Sequence, residues 1–246
     1  MVTFSQLGRY GRIGNAMFEI AGTIGIAQKC GHEFGFPYWR NYDQETRFGG
    51  GEDIDIQKWF KNELPEMANN YYNTYNVAWG YHDIIVPDWT DLHGHMQSER
   101  YFLHCEDLIR HYFTFKNQSP LQDNTVAIHF RGGDYGSDYH PHCTSEYYQN
   151  ALKQFGTGLK LRVFSDSPDL AKEVIGKQAE YIEGNHSMVD MELMSRCDHH
   201  IIANSTFSWW GAWLSGSSKV IAPRRWFGSS AKIKSDDIYC KDWVII

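Results

Sequence analysis

Residues 126–135 read VAIHFRGGDY, and residues 201–213 read IIANSTFSWWGAW. Each stretch begins with an apolar run typical of a buried strand, and small or polar residues follow that run. In the first, Arg131 precedes the pair Gly132–Gly133, and in the second, Asn204-Ser205-Thr206 precedes a candidate helix. We expect the two loops to meet at one edge of a parallel sheet, because ligands bind off the carboxyl ends of parallel strands.

Strand and helix patterns alternate throughout the second half of the chain. The strand candidates are 125–130, 159–164, 179–183, 200–203 and 219–222, and the helix candidates are 145–155, 168–175, 188–197 and 207–214. Buried strands alternating with helices predict a doubly wound parallel sheet, and therefore an α/β fold.

The first half begins with a similar unit. A strand over 2–7 is followed by the glycine- and arginine-rich turn 8–15 and by a helix over 16–29, for which Gly31 is a plausible C-cap. The turn does not have the GxGxxG spacing of a dinucleotide site. Beyond it, the periodicity is weak, and we expect short strands, a short helix near 56–62, a strand edge at 92–96 and long loops.

Two further features organise the middle of the chain. Ser98 is placed to cap an amphipathic helix over 99–113. The polar stretch 116–124 contains a proline and is the best candidate for a domain boundary. We therefore predict domains over 1–120 and 121–246.

Composition excludes several classes of function. The chain has 246 residues, a formal net charge of -7, 42% hydrophobic and 22% charged residues, which suit packed cores but not a sequence-independent nucleic-acid binder. The five cysteines form no CxxC pair, which favours a reducing compartment. No signal peptide or membrane span is visible in the sequence, so we expect a cytoplasmic protein without stable membrane insertion.

Arg131 and its neighbours are suited to binding phosphate. The planar guanidinium of Arg131 can grip phosphate with two donors, and the N–H groups of Gly132–Gly133 can approach an anion closely. Asp134 could hold Arg131 in place. The alternative is an ordinary surface turn with an Arg–Asp pair.

Polar residues also follow the next strands. Asp166 could accept a hydrogen bond from a base edge or a ribose hydroxyl, whereas Ser167 before Pro168 fits an ordinary helix N-cap. The helix start at Asn204-Ser205-Thr206 is a potential anion site. Tryptophans favour core positions, and we expect this of seven: Trp39, Trp59, Trp79, Trp89, Trp209, Trp210 and Trp213.

Metal-ligating residues occur in short clusters, at 93–95, 140–143 and 197–200, but none has a complete four-ligand spacing. Asp53-Ile54-Asp55 matches the Asp-x-Asp pattern that holds a divalent metal in some sugar transferases. It does not follow a predicted nucleotide-binding strand, so we expect neither a metal site nor a cofactor.

Taken together, five segments resemble motifs of the α-1,2-fucosyltransferases of glycosyltransferase family 11. Residues 129–135 resemble HxRRGDY, and residues 202–214 are very similar to IANSSFSWWGAWL. Residues 164–166 match its FSD, residues 11–18 resemble GxLGNQMF, and residues 94–102 resemble GYFQSEKYF. The segments follow the family's order over most of the chain.

The resemblance implies a GT-B-like fold of two Rossmann-like domains facing a cleft, with the acceptor on the first and GDP-fucose on the second. It implies transfer with inversion and without a metal to a glycan hydroxyl, with the 2-hydroxyl of galactose as the expected acceptor. Its implied site residues have several roles. Arg131 would bind the β-phosphate, His129 and Asp166 would lie near guanine and ribose, Gly133, Asn204, Ser205, Thr206 and Ser208 would hold phosphate, and Arg12, Gly14 and Asn15 would close over the diphosphate and fucose.

One departure from the motif matters, because Gly132 stands where HxRRGDY has its second arginine. A lost charge-assisted contact is worth about 1.5–3 kcal/mol, and Arg9, Arg12 or Arg40 could replace it. The departure motivates one alternative, a non-catalytic GDP-sugar or glycan-binding protein. A transferase using another GDP-sugar is a further alternative. Asp134, Glu19 or an aspartate of the first half could be the general base.

Overall fold

The structure, a computed structural model, describes residues 1–40 and 55–246. Asp53 and Ile54 of the Asp-x-Asp pattern lie outside these residues. The chain forms two compact units, Met1–Asn117 with Asp236–Cys240 and Gln118–Ser235 with Lys241–Ile246. The first boundary is close to the predicted one at residue 120, and the segment Asp236–Cys240 near the C-terminal end of the chain belongs to the first unit.

The first unit is built on a four-stranded parallel sheet of order β2-β1-β4-β3. Its helix α1 is buried from Ile13 to Ala27 apart from Asn15, and Gly31 ends it in the left-handed conformation with φ 71°, which confirms the predicted C-cap. In chain order the elements are β1 (Val2–Thr3), α1 (Ile13–Cys30), β2 (Phe34–Gly35), β3 (Asn73–Asn76), β4 (Thr90–His93) and α2 (Glu106–Tyr112), with 3-10 turns at Gln57–Trp59, Glu99–Tyr101, Leu103–Cys105 and Asp236–Ile238.

Two predictions for the first unit are wrong in their extent. The strand over 2–7 ends at Thr3, because the chain turns where the N–H of Leu7 donates to the carbonyl of Phe4 at 3.1 Å. The helix over 99–113 is two 3-10 turns followed by the short α2. The break lies where the Tyr101 carbonyl approaches α1 so closely that a Cβ at Gly25 would be 2.1 Å away.

The second unit carries a six-stranded parallel sheet of order β10-β9-β8-β5-β6-β7. Together the two parallel sheets confirm the predicted α/β fold class. In chain order the elements are β5 (Gln122–Phe130), α3 (Ser145–Leu152), β6 (Lys160–Ser165), α4 (Pro168–Ile175), β7 (Glu180–Ile182), α5 (Ser187–Met194), β8 (Cys197–Ile201), α6 (Thr206–Ser215), β9 (Lys219–Ala222) and β10 (Val244–Ile245), with a 3-10 turn at Ser229–Ala231.

Each sheet has a point where the strand order reverses. In the second unit the chain proceeds from β5 to β7 on one side and from β8 to β10 on the other, so the reversal lies between β5 and β8. In the first unit β1 and β2 lie on one side and β3 and β4 on the other, so the change of side lies between β1 and β4. Open parallel sheets bind ligands beyond the carboxyl ends of their strands at such a point.

The tryptophans divide between core and surface. Trp209, Trp210 and Trp213 are at most 6% exposed and pack α6 against the sheet, as predicted. Trp39 is also buried, but its expected companions in the core are only half-buried, namely Trp59, Trp79 and Trp89. Within residues 1–40 and 55–246, every helix is too short or too polar to span a bilayer.

Candidate active site

The site in the second unit is centred on Arg131, which follows β5. β5 and β6 pair in parallel with Phe130 opposite Ser165, so Arg131 lies beside Asp166. Nη1 of Arg131 forms an ion pair with Oδ2 of Asp166, and Nη2 lies 2.5 Å from Oδ1 of Asp134. The guanidinium carries more N–H groups than these two ion pairs use. It is therefore oriented by two carboxylates and keeps donors for a further anion.

The backbone N–H groups of the two glycines that follow Arg131 form hydrogen bonds within the protein. The N–H of Gly132 donates to Oδ1 of Asp166 at 2.8 Å, and the N–H of Gly133 donates to Oγ of Ser167 at 2.9 Å. Both amides were expected to face an anion, and here both donate within the protein. Gly133 has φ +43°, a conformation that glycine adopts readily.

Ser167 occupies the space beside Gly132. A Cβ at position 132 would lie 2.4 Å from both Cβ and Oγ of Ser167, closer than carbon atoms approach without displacement. Ser167 is the N-cap residue of α4, with Pro168 at the first helical position, which confirms the predicted cap position, but its side chain makes no capping hydrogen bond. Its hydroxyl instead accepts from Gly133. The serine thus fills the place where a side chain at position 132 would begin.

This crowding predicts that Gly132→Ala destabilises the protein by about 1–3 kcal/mol, the usual cost of overpacking. Ser167→Gly should relieve the clash, so the double variant should lose less than the sum of the two single losses. Urea unfolding of the four proteins measures the cycle. Strictly additive losses would show that the two positions do not compete for space.

The second predicted stretch meets the first through Tyr135. β8 pairs with β5, and the hydroxyl of Tyr135 donates to the carbonyl of Asn204 at 3.1 Å. The Arg131 guanidinium carbon lies 5.4 Å from the centre of the same tyrosine ring, within reach of a cation–π interaction. Tyr135 was not among the predicted site residues, although its place in the HxRRGDY-like segment was a signal for it.

Three of the four polar residues expected to hold phosphate instead hold the turn before α6. The Asn204 amide donates to the carbonyls of Pro141 at 3.0 Å and Trp226 at 2.9 Å. Ser205 caps α6 by accepting from the N–H of Phe207 at 3.3 Å. Ser208 is fully buried, and its hydroxyl donates to the carbonyls of Ala203 and Ser205. The side chains of Asn204 and Ser208 therefore shape the loop that leads into α6.

The start of α6 keeps its suitability for an anion. Thr206 is the first residue of α6 and is half-buried, unlike Ser205, which is 7% exposed. The first turn of a helix presents N–H groups and the positive end of the helix dipole. The residues after β5 and β8 therefore place one guanidinium and one helix start at the reversal point of the sheet, an arrangement that suits a phosphate group.

His129 lies on β5 within the core of the site. Its side chain is buried, its ring centre is 5.5 Å from that of Phe207, and its Nδ1 has no hydrogen-bond partner among the residues that the structure describes. Burial lowers the pKa of His129 to about 4; the charge of Asp166 raises it and that of Arg131 lowers it. The imidazole is neutral at pH 7.

Protein stability should fall on acidification because of two buried histidines. Burial lowers the pKa of His200 to about 4 as well. The unfolded chain binds these protons near pH 6.5, whereas the folded chain binds them only near pH 4. The contribution of the two neutral histidines to the free energy of unfolding is therefore complete above about pH 6.5. It is lost as the pH falls towards 4. In urea titrations at pH 7 and 4.5, His200→Gln should lose less stability than the parent; equal losses would contradict this.

Three predicted residues belong to the first unit, at the start of α1. Arg12 is its N-cap residue without a side-chain cap hydrogen bond, and Gly14 is buried in the first turn. Asn15 accepts a hydrogen bond at Oδ1 from Nε2 of Gln97 at 3.1 Å. The structure thus joins the GxLGNQMF-like and GYFQSEKYF-like segments inside this unit.

The histidine and cysteine clusters do not assemble further. Across the part of the chain that the structure describes, no three His, Cys, Asp or Glu side chains converge as a metal ion would require. All five cysteines are free. The side chains around Arg131 that could face a ligand are therefore donors of hydrogen bonds and positive charge, together with the carboxylates that orient them.

A family profile and two related sequences match this chain. The sequence profile described as Glycosyl transferase family 11 matches residues 52–246. An alpha-1,2-colitosyltransferase of Escherichia coli is 39% identical over 178 residues, which cover 62% of this chain and 61% of the relative. The O-antigen biosynthesis glycosyltransferase WbnK of Escherichia coli is 38% identical over 146 residues, covering 53% and 47%. The chain spans less than two thirds of the length of either relative.

Comparison with solved structures concerns the fold alone. The fucosyltransferase NodZ from Bradyrhizobium aligns with 87% of this chain and 92% of its own, with a TM-score of 0.55 and 13% identity. A NodZ alpha-1,6-fucosyltransferase soaked with GDP-fucose aligns with a TM-score of 0.51 over 87% and 91%, at 14% identity. Both are similar to this chain in fold, which confirms the predicted GT-B-like fold class.

Proposed function

The chain belongs to glycosyl transferase family 11, and on this premise we propose that it transfers L-fucose from GDP-fucose to a hydroxyl of a glycan. The expected acceptor is the 2-hydroxyl of galactose. The observation that carries the proposal is the meeting of Arg131 and the α6 start at the reversal point between β5 and β8. The donor diphosphate would bind there, and the glycan acceptor would bind the first unit.

The chemistry needed is stabilisation of a departing diphosphate. The acceptor hydroxyl attacks the anomeric carbon from the face opposite GDP, so the configuration inverts and negative charge grows on the β-phosphate oxygen. Preorganised donors aimed at growing charge supply much of an enzyme's acceleration. Arg131, held by Asp134 and Asp166, and the positive end of α6 have this role.

The formal charge around Arg131 is too negative for a diphosphate to bind without further cations. One guanidinium faces two carboxylates, so this loop alone has a negative formal charge and would repel a diphosphate. The α6 dipole compensates in part. The remainder must come from other cations. We propose transfer without a metal ion or other cofactor, with these groups supplying the positive charge.

A second candidate donor is a GDP-linked colitosyl group, which lacks the 3-hydroxyl of fucose. The observation in its favour is the 39% identity to an alpha-1,2-colitosyltransferase over 178 residues. Arg131 and α6 would hold the diphosphate of either donor alike. Discrimination between them would therefore depend on contacts to the sugar, not on the phosphate site.

A donor panel tests the proposed function. GDP-fucose, GDP-colitose, GDP-mannose and UDP-galactose are each incubated with β-galactoside acceptors, and both GDP or UDP release and the glycan product are quantified. We expect an inverted, 2-linked product from GDP-fucose or GDP-colitose. Release of nucleotide without a glycan product would contradict transfer, and product only from the UDP-sugar would contradict the donor class.

A further inference from the structure

Asn204 joins three loops of the second unit at the reversal point of its sheet. Its amide donates to the carbonyls of Pro141 at 3.0 Å and Trp226 at 2.9 Å. Its Oδ1 accepts from Sγ of Cys143 at 3.5 Å, and its backbone carbonyl accepts from the hydroxyl of Tyr135 at 3.1 Å. This buried residue therefore connects the loops that follow β5, β8 and β9.

The hydrogen bond from Tyr135 acts on the peptide group that precedes α6. The carbonyl of Asn204 and the N–H of Ser205 belong to that one planar group. The carbonyl accepts from Tyr135, and the N–H donates to the carbonyl of Ala203 at 2.8 Å. Ser205 is the N-cap of α6, and its own carbonyl accepts from the N–H of Trp209 at 3.0 Å. The peptide is thus held at both ends, and its orientation sets where the helix starts.

Tyr135 also lies beside Arg131, the other group proposed for the donor phosphate. The guanidinium carbon of Arg131 is 5.4 Å from the centre of the Tyr135 ring. The ring of His140 packs edge-on against the same tyrosine, with the two centres 4.8 Å apart. One side chain therefore contacts both parts of the site, because its ring meets Arg131 and its hydroxyl holds the peptide before α6.

Backbone hydrogen bonds hold the loop around Tyr135 independently of its hydroxyl. The N–H of Tyr135 donates to the carbonyl of Gly132 at 2.7 Å, and the N–H of Gly136 donates to the carbonyl of His140 at 2.8 Å. Neither bond involves the phenol group. Tyr135→Phe therefore keeps the turn and the ring beside Arg131, and it removes the hydrogen bond to Asn204.

We propose that Tyr135 is a positioning residue for the donor, because it couples the Arg131 guanidinium to the start of α6. The inference rests on the proposed function, in which one diphosphate contacts both groups. Oxygens of that diphosphate can accept from both only if the guanidinium and the helix start are held at a suitable separation. Without the Tyr135 hydroxyl, the carbonyl of Asn204 loses a hydrogen-bond donor, and the peptide before α6 loses one of its two fixed ends.

Tyr135→Phe should weaken GDP binding by about 3- to 10-fold, the effect of losing one hydrogen bond. A group displaced by about 1 Å can lower a rate by about 10²-fold, so kcat/KM for transfer should fall by more than the affinity for GDP. The matched control is Tyr181→Phe, which removes a hydroxyl that donates to the carbonyl of Gly176 at 2.5 Å in the same unit. This control should bind GDP as tightly as the parent.

A double-mutant cycle distinguishes positioning from a purely structural role. The parent, Arg131→Lys, Tyr135→Phe and the double variant are each titrated with GDP by calorimetry. Arg131→Lys lacks the planar fork that Tyr135 would align, so Tyr135→Phe should weaken GDP binding less in this background than in the parent. A structural tyrosine would have the same effect in both. Urea unfolding should show similar losses of stability for Tyr135→Phe and Tyr181→Phe, although only the first weakens GDP binding.

The outcomes separate this inference from the proposed function. If the parent binds GDP and Tyr135→Phe binds it equally well, only the role of Tyr135 is overturned. Additive losses of GDP affinity in the cycle also overturn that role. If the parent binds GDP but transfers no sugar from any GDP-sugar, the proposed transfer fails, whereas the cycle still measures the coupling. A parent that binds no GDP contradicts both.

Discussion

Replacing Arg131 with alanine is expected to lower kcat/KM for sugar transfer by about 10²- to 10³-fold, the usual effect of removing one donor that stabilises growing charge. Arg131 carries the single guanidinium between Asp134 and Asp166. Its loss would remove the local cation and leave both carboxylates facing the departing GDP. Steady-state rates with the accepted GDP-sugar measure the effect.

Two variants serve as controls for this result. Arg162→Ala removes an arginine of the same sheet that is 15% exposed, compared with 13% for Arg131, and pairs with Glu180 instead of the site. Its transfer rate should match the parent. Arg131→Lys keeps the charge but not the planar fork, so it should recover only part of the rate. Equal rates for the parent and both Arg131 variants would exclude Arg131 from the reaction.

Trp209→Ala is expected to reduce the free energy of unfolding by about 3–5 kcal/mol, the range for deleting a fully buried aromatic ring. Trp209 has no exposed surface and packs against Trp210, Trp213 and Trp243 at centre distances of 4.9, 6.2 and 5.4 Å. These rings hold α6, whose first turn forms part of the site. Urea unfolding measures the loss.

The matched control is Trp79→Ala, because Trp79 is only half-buried and should cost less. If Trp209→Ala is still folded, its GDP affinity should also fall, since the start of α6 is no longer held in place. A loss of stability for Trp209→Ala no greater than that for Trp79→Ala would contradict the packing described here.

Local sequence signals predicted the second unit well. β9 and α4 have the predicted bounds, because the apolar run Val220–Ile221–Ala222 and a proline at the first helical position are strong local signals. Gly31 ends α1 as expected for the same reason. The meeting of the loops after β5 and β8 followed from the rule for parallel sheets.

Tertiary packing explains the features of the fold and of the site that the sequence pattern did not predict. The helix over 99–113 has good periodicity, yet the close approach of Tyr101 to Gly25 interrupts it. The side chains of Asn204 and Ser208 have the right chemistry for phosphate, yet local carbonyl groups use them. A sequence shows which groups can form hydrogen bonds, but only the fold shows which partners they have.

At Gly132, the sequence motif and the structure each explain a different feature of the position. The motif comparison identified it as the place of a missing arginine, but only the structure shows that Ser167 fills the adjoining space. Ser167 also accepts from Gly133. Gly132→Arg alone is therefore not a simple restoration of a second cation, because Ser167 must first move.

Calorimetric titration with GDP, ADP and UDP tests most directly whether the second unit holds a GDP-sugar at Arg131 and α6. We predict that the parent binds GDP more tightly than ADP or UDP, and that Arg131→Ala weakens GDP binding while Arg162→Ala leaves it unchanged. Absence of GDP binding, equal affinity for the three nucleotides, or full GDP affinity in Arg131→Ala would contradict the assignment.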